Sequence, residues 1–345
     1  MQAVVLEEKG KMAYRELSTP QPRPGWVLLR VRAASICGSD LHRFVRGHRV
    51  APLVLGHEAA GEISAVGEGV APGLVGRHAA LIPLVPCHAC AQCQAGRFSA
   101  CPNYSFIGTR QNGCYAEYVE LPAGNALLLP DDLTFEAAAL VEPSSVARHI
   151  LDLGEFQAGQ SAVVLGAGSI GLMTVQWLRI LGASKIIASD LVPANRQAAL
   201  ALGAHAALDP QAADLAQEVR RLTGGGADLA LETAGAPQTL QQSIRAVRPA
   251  GAVVCAGNQP PEASLPMTWV EELMRGEIRL RGCFMSYSAP FPGHEWTDSV
   301  QALQSGQLDW AGMISHRFPL SQAPQVFAEM ASRSFAYRKI ILSPD

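Results

Sequence analysis

The chain of 345 residues has a formal net charge of −3, with 48% hydrophobic and 17% charged residues. This length favours two domains over one core. The mild acidity argues against a general nucleic-acid surface, which needs a basic face, and no apolar run is long enough to cross a bilayer. The first residues predict a strand and a turn in place of a signal peptide, so we expect a cytoplasmic protein.

The first half of the sequence favours β structure. Short alternating apolar runs, such as residues 27–34, are separated by Gly and Pro and predict twisted strands joined by tight turns. Two candidate metal ligands lie in this half, Cys37 in Cys-Gly-Ser-Asp and His57 in Gly-His-Glu. Catalytic zinc sites usually take three protein ligands, and Glu58 and Glu142 are the candidates for the third. Spacing alone does not bring these residues together, and a packed Cys or a hydrogen-bonded His is the alternative.

Four cysteines lie close together in the next segment. Cys87, Cys90, Cys93 and Cys101 follow the spacing C-x2-C-x2-C-x7-C. This spacing lets four thiolates converge on one tetrahedral ion, and zinc is the usual occupant of such a site. A closed thiolate shell leaves no open position, so we predict a structural zinc ion. Two disulfides and an iron–sulfur cluster are the alternatives, although thiols in the cytosol are expected to be reduced.

The pattern changes after about residue 150, where apolar strands alternate with helical segments. Residues 162–165, 185–189 and 228–232 predict strands, and residues 170–181 predict a helix. This alternation is typical of a parallel, doubly wound α/β sheet. Two helical stretches and a terminal strand at residues 338–342 follow.

A glycine motif joins the first strand of this second half to its helix. Gly166, Gly168 and Gly171 form G-x-G-x-x-G, and the helix begins near Ser169 and Ile170. The glycines permit a tight turn and close approach of the backbone to a pyrophosphate at the positive end of the helix. We therefore predict a dinucleotide site, with a structural glycine turn as the alternative.

The residues after the next strand indicate which dinucleotide binds. Asp190 lies nineteen residues past the last glycine of the motif, at the end of the next predicted strand. Its carboxylate would accept hydrogen bonds from the adenosine ribose and repel a 2′-phosphate, so NAD is favoured over NADP. Arg196 could reach the same ribose.

Taken in order, these motifs resemble those of zinc-dependent medium-chain alcohol and polyol dehydrogenases over essentially the whole chain. The resemblance implies a GroES-like β domain at residues 1–148, which carries two zinc sites and has its structural-zinc lobe at 86–103. It implies an NAD-binding Rossmann domain at 149–286 and a C-terminal return to the first domain at 287–345. It also implies NAD and two zinc ions per chain as cofactors, and a homodimer or homotetramer.

The same resemblance assigns roles to the candidate ligands. It implies that Cys37, His57 and Glu142 hold the catalytic zinc and that Glu58 is a nearby carboxylate that ligates transiently or through water. The pairing of Glu142 with a following proline resembles the sorbitol-like members. Asp40 resembles the residue that orients the ligating imidazole.

The resemblance further implies a route for the proton that is released when the alcohol is oxidised. Zinc would lower the pKa of the substrate hydroxyl, and hydride would pass to the nicotinamide ring. Ser39 and His42 match the relay positions of the family, in which the proton passes from hydroxyl to cofactor ribose to imidazole to solvent. A histidine suits the last step because its pKa is close to neutral.

Three further segments resemble galactitol-1-phosphate 5-dehydrogenases, namely residues 107–113, 231–238 and 287–296. They imply the oxidation of galactitol 1-phosphate to tagatose 6-phosphate. Arg110 is then a candidate for binding the phosphate, and Tyr287 is a candidate for the substrate cleft. A dehydrogenase of an unphosphorylated polyol or amino alcohol (galactitol, sorbitol or threonine) is the alternative. A zinc-free quinone reductase-like redox protein is the alternative from another class.

Overall fold

A computed structural model describes residues 1–259 and 267–345. The described chain divides into two compact units. The first unit consists of three stretches, Met1–Glu142, Tyr287–Gly306 and Trp310–Asp345. The second unit consists of two stretches, Pro143–Ser286 and Gln307–Asp309. Among the described residues, no helix has both the length and the apolar character that crossing a membrane requires.

The strands in the described residues are, in chain order, β1 (Gln2–Glu8), β2 (Lys11–Glu16), β3 (Trp26–Ser35), β4 (Leu53–Val54), β5 (Glu58–Val66), β6 (His78–Leu81), β7 (Leu84–Val85), β8 (Ser105–Phe106), β9 (Tyr118–Pro122), β10 (Ala126–Leu128), β11 (Ser161–Leu165), β12 (Lys185–Ser189), β13 (Ala206–Leu208), β14 (Ala227–Glu232), β15 (Val247–Cys255), β16 (Arg279–Gly282), β17 (Ile314–Pro319) and β18 (Lys339–Ser343).

The α-helices in the same residues are α1 (Gly38–Arg46), α2 (Ala91–Gln94), α3 (Phe135–Ala138), α4 (Val141–Leu153), α5 (Ser169–Ile180), α6 (Pro193–Ala201), α7 (Leu215–Thr223), α8 (Pro237–Ala246), α9 (Thr268–Gly276), α10 (His294–Gln304), α11 (Trp310–Met313) and α12 (Ala323–Ala331). Short 3-10 helices are formed by Pro72–Leu74, Phe98–Ala100, Ala123–Asn125 and Leu320–Gln322.

The first unit is built on a mixed β sheet with the strand order β10-β6-β5-β3-β18-β17, and β9 also pairs with β3. Smaller sheets are formed by β2-β1-β4 and by β7-β8. In β3, Val31 is buried whereas Arg30 and Arg32 are exposed, because successive side chains of a strand point to opposite faces. The predicted β character of the first half of the chain is therefore confirmed.

Strand pairing places three chain segments beside one another at the end of β3. Ser35, the last residue of β3, pairs with Glu58, the first residue of β5. On the other side, Ser35 pairs with Ile341 of β18. Cys37 follows β3 and His57 precedes β5 directly, so the register of three strands brings two distant loops together.

The second unit is a parallel sheet in the order β13-β12-β11-β14-β15-β16, with helices between successive strands. This is the doubly wound α/β sheet that the sequence predicts. The chain first builds outward from β11 to β13 and then resumes at β14 on the other side of β11. In such sheets, ligands bind at the carboxyl ends of the strands where the direction of winding reverses. The glycine motif follows β11 at this point.

Candidate functional site

The four-cysteine segment folds into a cluster of thiols in the first unit. Its Sγ atoms lie within 4.8 Å of one another, and none of these cysteines is in a disulfide. Separations of 3.5, 3.9 and 4.0 Å join Cys101 to Cys87, Cys90 to Cys101 and Cys87 to Cys93. A tetrahedral zinc with bonds of about 2.3 Å requires S···S separations of about 3.8 Å. The geometry therefore fits a tetrathiolate metal ion.

The electrostatics of this cluster also fit a cation. Hydrogen bonds from the backbone at Ala89 and Cys90 lower the pKa of Cys87 to about 6. Burial, together with the neighbouring thiols, raises the pKa of Cys93 to about 12. A bound zinc ion stabilises all four thiolates. His88 is not needed as a ligand, and its ring packs near Phe98 and Phe291.

A second group of metal-ligating side chains lies where β3, β5 and β18 meet. One ligand atom from each of Cys37, His57 and Glu58 falls within 4.8 Å of the others. Cys37 is the N-cap of α1, whereas His57 and Glu58 are buried. Thiolate, imidazole and carboxylate are all zinc ligands, so this donor set fits zinc.

Glu142, in the first turn of α4, belongs to the same electrostatic environment. Burial raises the pKa of Glu142 to about 7, with a further contribution from Glu58, although His57 and Lys339 oppose the shift. The negative charge of this buried carboxylate is therefore unfavourable, and a nearby cation would stabilise it. A divalent cation would supply such a charge. The described ligand atoms that converge are those of Cys37, His57 and Glu58, and Glu142 is linked to this group by its electrostatic coupling to Glu58 and His57.

Asp40 lies behind His57 and is fully buried. Its carboxylate accepts hydrogen bonds from Tyr115 Oη at 2.8 Å and Arg43 Nη1 at 3.2 Å, and its Oδ2 lies 3.5 Å from Nδ1 of His57. That nitrogen is buried and makes no hydrogen bond within the described residues. A small movement of the ring would pair Nδ1 with Asp40 and leave Nε2 for a metal, the arrangement usual for ligating histidines.

Opposing effects set the pKa values of this pair. Burial acts to raise the pKa of Asp40, but His57 and Arg43 bring it below its ordinary value. Burial acts to lower the pKa of His57, but Asp40 and Cys37 raise it well above its ordinary value. Asp40 therefore stays ionised and favours an Nδ1 proton on the imidazole.

Lys339 is the residue of this site that the sequence analysis missed. Its side chain is 2% exposed and forms an ion pair with Glu58. Burial acts to lower the pKa of Lys339, but Glu58 and Cys37 raise it above its ordinary value, so the ammonium is retained. One signal was available, because a lysine opens the apolar strand Lys-Ile-Ile-Leu at the end of the chain.

The two predicted relay residues lie on α1. Ser39 Oγ donates to Cys37 Sγ at 3.2 Å and accepts a hydrogen bond from Arg43 Nη1 at 2.8 Å. His42 lies at the surface one turn further along the helix. Partial burial and the cations Arg46 and Arg43 lower the pKa of His42, so its imidazole is neutral at physiological pH and can accept a proton.

The glycine motif forms a tight turn between β11 and α5. Gly166 has a φ of +100°, which favours glycine. A Cβ on Gly171 would lie 1.8 Å from the carbonyl oxygen of Gly166, whereas a Cβ on Gly168 would meet no protein atom within 4 Å. Ser169 and Ile170 open α5 beside this exposed glycine. The open space at Gly168, at a helix N-terminus, fits a pyrophosphate.

Asp190 lies at the end of β12 and closes the same turn. Its carboxylate oxygens accept hydrogen bonds from the backbone N–H of Ala167 at 2.7 Å and of Val192 at 2.8 Å. Arg196 donates to the carbonyl oxygen of Asp190 at 2.7 Å and pairs with Asp209 at 3.0 Å. Because Arg196 already has an acidic partner, it is a weaker candidate for a 2′-phosphate than an unpaired arginine would be.

The two predicted substrate residues have different surroundings. Arg110 is exposed, donates to the carbonyl oxygen of Tyr104 at 2.5 Å, and lies 3.7 Å from the centroid of the Tyr104 ring. Tyr287 is buried, accepts a hydrogen bond from the N–H of Leu84 at 3.1 Å, and stacks on Trp296. Burial, with a contribution from Glu142, raises the pKa of Tyr287 well above its ordinary value. The part of either residue in substrate binding stays a prediction.

Comparison with known protein families agrees with this geometry. The alcohol dehydrogenase GroES-like domain matches residues 23–131, and the zinc-binding dehydrogenase family matches residues 169–305. The chain is 32% identical over 352 residues to galactitol 1-phosphate 5-dehydrogenase of Escherichia coli (strain K12), with 100% of both chains covered. It is also 32% identical over 353 residues to sorbitol dehydrogenase of Bacillus subtilis (strain 168), covering 100% of this chain and 98% of the relative.

A solved structure extends the similarity to the whole fold. The crystal structure of galactitol-1-phosphate dehydrogenase from Escherichia coli matches with a TM-score of 0.95 and 31% identity, covering 100% of each chain. The family and fold class predicted from the motifs are therefore confirmed. The chain belongs to the zinc-binding alcohol dehydrogenase family and is an oxidoreductase of its polyol dehydrogenase group.

Proposed function

We propose that this protein oxidises a secondary alcohol of a polyol phosphate, galactitol 1-phosphate, to the ketone tagatose 6-phosphate, with transfer of hydride to NAD. The observation that carries the chemistry is the group formed by the half-buried Cys37 and the buried His57 and Glu58, whose ligand atoms lie within 4.8 Å of one another. Glu142 adds a second carboxylate to this environment. A zinc ion held by Cys37, His57 and Glu142 would polarise the substrate hydroxyl and lower its pKa.

The residues of α1 carry the proton away in this proposal. The hydroxyl of Ser39 is fixed between Cys37 Sγ and the Arg43 guanidinium, so it is oriented before the substrate binds. It would accept the proton of the substrate hydroxyl while it gives up its own, and the neutral imidazole of His42 would take up the released proton at the surface and pass it to solvent. We expect Ser39→Ala to lower kcat about 100-fold or more at unchanged zinc content. Wild-type turnover in that variant would remove Ser39 from the mechanism.

We propose NAD as the hydride acceptor because Asp190 sets the charge next to the glycine turn. Its carboxylate is held by two backbone N–H groups, so it cannot easily turn away from a 2′-phosphate. Repulsion between these groups disfavours NADP. The open space beside Gly168 accommodates the pyrophosphate of either dinucleotide.

The phosphate of the substrate is assigned to Arg110. The guanidinium is exposed, and within the described residues it contacts the carbonyl oxygen and the ring of Tyr104. Its remaining N–H groups can therefore bind a phosphate in a bidentate manner. An unphosphorylated polyol such as galactitol or sorbitol is the second candidate substrate. The observation in its favour is that Arg110 already makes a cation–π contact at 3.7 Å, which is reason enough for an arginine at this position.

The experiment that tests the function is a comparison of NADH formation from NAD with galactitol 1-phosphate, galactitol, sorbitol and threonine. A preference for the phosphate is expected, and Arg110→Ala should then raise KM about tenfold or more, since a charge-assisted pair is lost. The exposed Arg77 is the control, and Arg77→Ala should leave KM unchanged. Equal rates with galactitol and its phosphate would refute the phosphorylated substrate and retain the zinc–NAD chemistry.

We also propose a homo-oligomer in which the second unit of one copy pairs with the second unit of another copy along strand β16. This strand is the edge of the parallel sheet, and its four residues are exposed. An open edge with unpaired backbone groups can pair with another copy. Sedimentation velocity at micromolar concentration tests this, and a monomer would contradict it.

A further inference from the structure

The chain contains four lysines, and Lys339 is the one whose side chain is buried. Lys9 and Lys11 are exposed and Lys185 is half-buried, whereas the side chain of Lys339 is 2% exposed. Burying an ammonium group without a partner is costly, so its position is explained only by what it contacts.

The main partner of the Lys339 ammonium is one carboxylate oxygen of Glu58. Lys339 Nζ pairs with Oε2 of Glu58 and donates to the carbonyl oxygen of Ile36 at 3.2 Å. The hydroxyl of Ser35 donates to the same Oε2. Glu58 itself is 1% exposed, so no water competes for this oxygen. Two donors on neighbouring strands therefore fix the carboxylate.

The position of this carboxylate matters for the metal. Glu58 has an oxygen within 4.8 Å of the ligand atoms of Cys37 and His57, close enough for it to ligate after a small movement. A catalytic zinc needs one position open for substrate, and an added carboxylate would fill that position and cancel positive charge.

We propose that Lys339 is a positioning residue that holds Glu58 away from the metal and so keeps one coordination position open for the substrate hydroxyl. This inference rests on the proposed zinc-dependent function. Ser35 assists by binding the same oxygen, but only the ammonium offsets the charge of Glu58. Without that cation, a bound metal ion would attract the carboxylate more strongly.

The test replaces the zinc with Co²⁺, whose visible absorption reports the ligands of the metal, and titrates the protein with imidazole as a probe of the open position. Lys339→Met removes the cation at similar length. We expect its imidazole Kd to rise about tenfold or more, since partners of metal ligands typically change affinity or activity 10- to 100-fold. The double variant Lys339→Met with Glu58→Gln should restore the wild-type Kd, because neither charge remains.

Lys185→Met is the matched control and should bind imidazole as the wild type does. If Lys339→Met does not yield folded protein, Lys339→Gln keeps an N–H donor without the charge, and the same rise in Kd is expected. An unchanged Kd in the folded variant, or no recovery in the double variant, would overturn the proposal. These spectra require no substrate. A wild-type protein that binds imidazole but oxidises no polyol would refute the proposed function and leave this inference standing.

Discussion

In the glycine turn after β11, Gly168→Ala and Gly171→Ala should affect different properties. The first should weaken NAD binding without loss of stability, and the second should lower the stability of the fold. At Gly168, a Cβ would meet no protein atom within 4 Å, and the backbone φ of −77° and ψ of −166° are accessible to alanine. Gly168→Ala should therefore leave stability unchanged or raise it by about 0.4–1 kcal/mol, because the unfolded chain loses freedom. The space that it fills is the one assigned to the pyrophosphate. We expect the Kd for NAD to rise at least about tenfold, which is about 1.4 kcal/mol.

Gly171→Ala should instead damage the fold. Its Cβ would lie 1.8 Å from the carbonyl oxygen of Gly166 and 3.0 Å from Thr233 Oγ1. That carbonyl accepts a hydrogen bond from Thr233 Oγ1 at 2.7 Å, so relieving the overlap breaks this bond as well. Overpacking costs about 3 kcal/mol and a lost hydrogen bond about 1 kcal/mol, so a loss of about 4 kcal/mol is expected. At about 2–4 °C per kcal/mol, Tm should fall by about 8–16 °C.

Thermal unfolding without cofactor and calorimetric titration with NAD measure the two quantities separately. Gly168→Ala is expected to lose affinity for NAD at full stability, whereas Gly171→Ala is expected to lose stability first. If Gly168→Ala bound NAD as tightly as the wild type, the space beside that glycine would not be the pyrophosphate site. If Gly171→Ala kept the wild-type Tm, the close contact with Gly166 would not describe the protein in solution.

Three further predictions follow from other contacts. Asp190→Asn removes the charge that faces a 2′-phosphate, so kcat/KM for NADP relative to NAD should rise about tenfold or more, and steady-state kinetics with both dinucleotides check it. Cys101→Ser removes one of four thiolates, so metal analysis should show about one zinc per chain in place of about two, with a lower Tm. Burial acts to raise the pKa of Asp228, but hydrogen bonds from Ser161 and the pairing with Arg248 bring it below its ordinary value. Its stabilising effect is therefore fully present above the unfolded pKa of about 3.9 and is lost as pH falls through the folded value. The stability deficit of Asp228→Asn in urea unfolding should accordingly be present at about pH 7 and shrink as pH falls below about 3.9.

The parts of the fold that could be predicted are those whose signal is local. The strand predicted at residues 185–189 is found as Lys185–Ser189 because a fully buried parallel strand is a short apolar run between polar turns. The helix predicted at residues 170–181 is found as Ser169–Ile180. The register of β3, β5 and β18 is not local, and no spacing in the sequence indicates that Ser35 pairs with both Glu58 and Ile341.

The two groups of metal-ligating residues also differ in whether their signal in the sequence is local. The four thiols lie in one loop, so their convergence can be read from spacing alone. Cys37, His57 and Glu142 lie on three segments, and only the family resemblance connects them in the sequence. The structure places Cys37 and His57 together through strand pairing, but the ligand role of each residue stays a prediction until the metal is analysed.

The place of Lys339 at the site could not be predicted from the motifs of metal-ligating and acidic residues. An ammonium group does not bind zinc, so a search for metal-ligating residues passes over it, although a buried cation changes what its neighbours can do. The sequence indicates Glu58 as a possible ligand. Its ion-pair partner Lys339 lies 281 positions further along the chain, on the terminal strand. Glu58 and Glu142 bring two carboxylates to this site, and the ion pair with Lys339 offsets the charge of Glu58. In the proposed arrangement Lys339 matters to the metal site as much as the residues that bind the ion, because its ion pair sets where Glu58 lies.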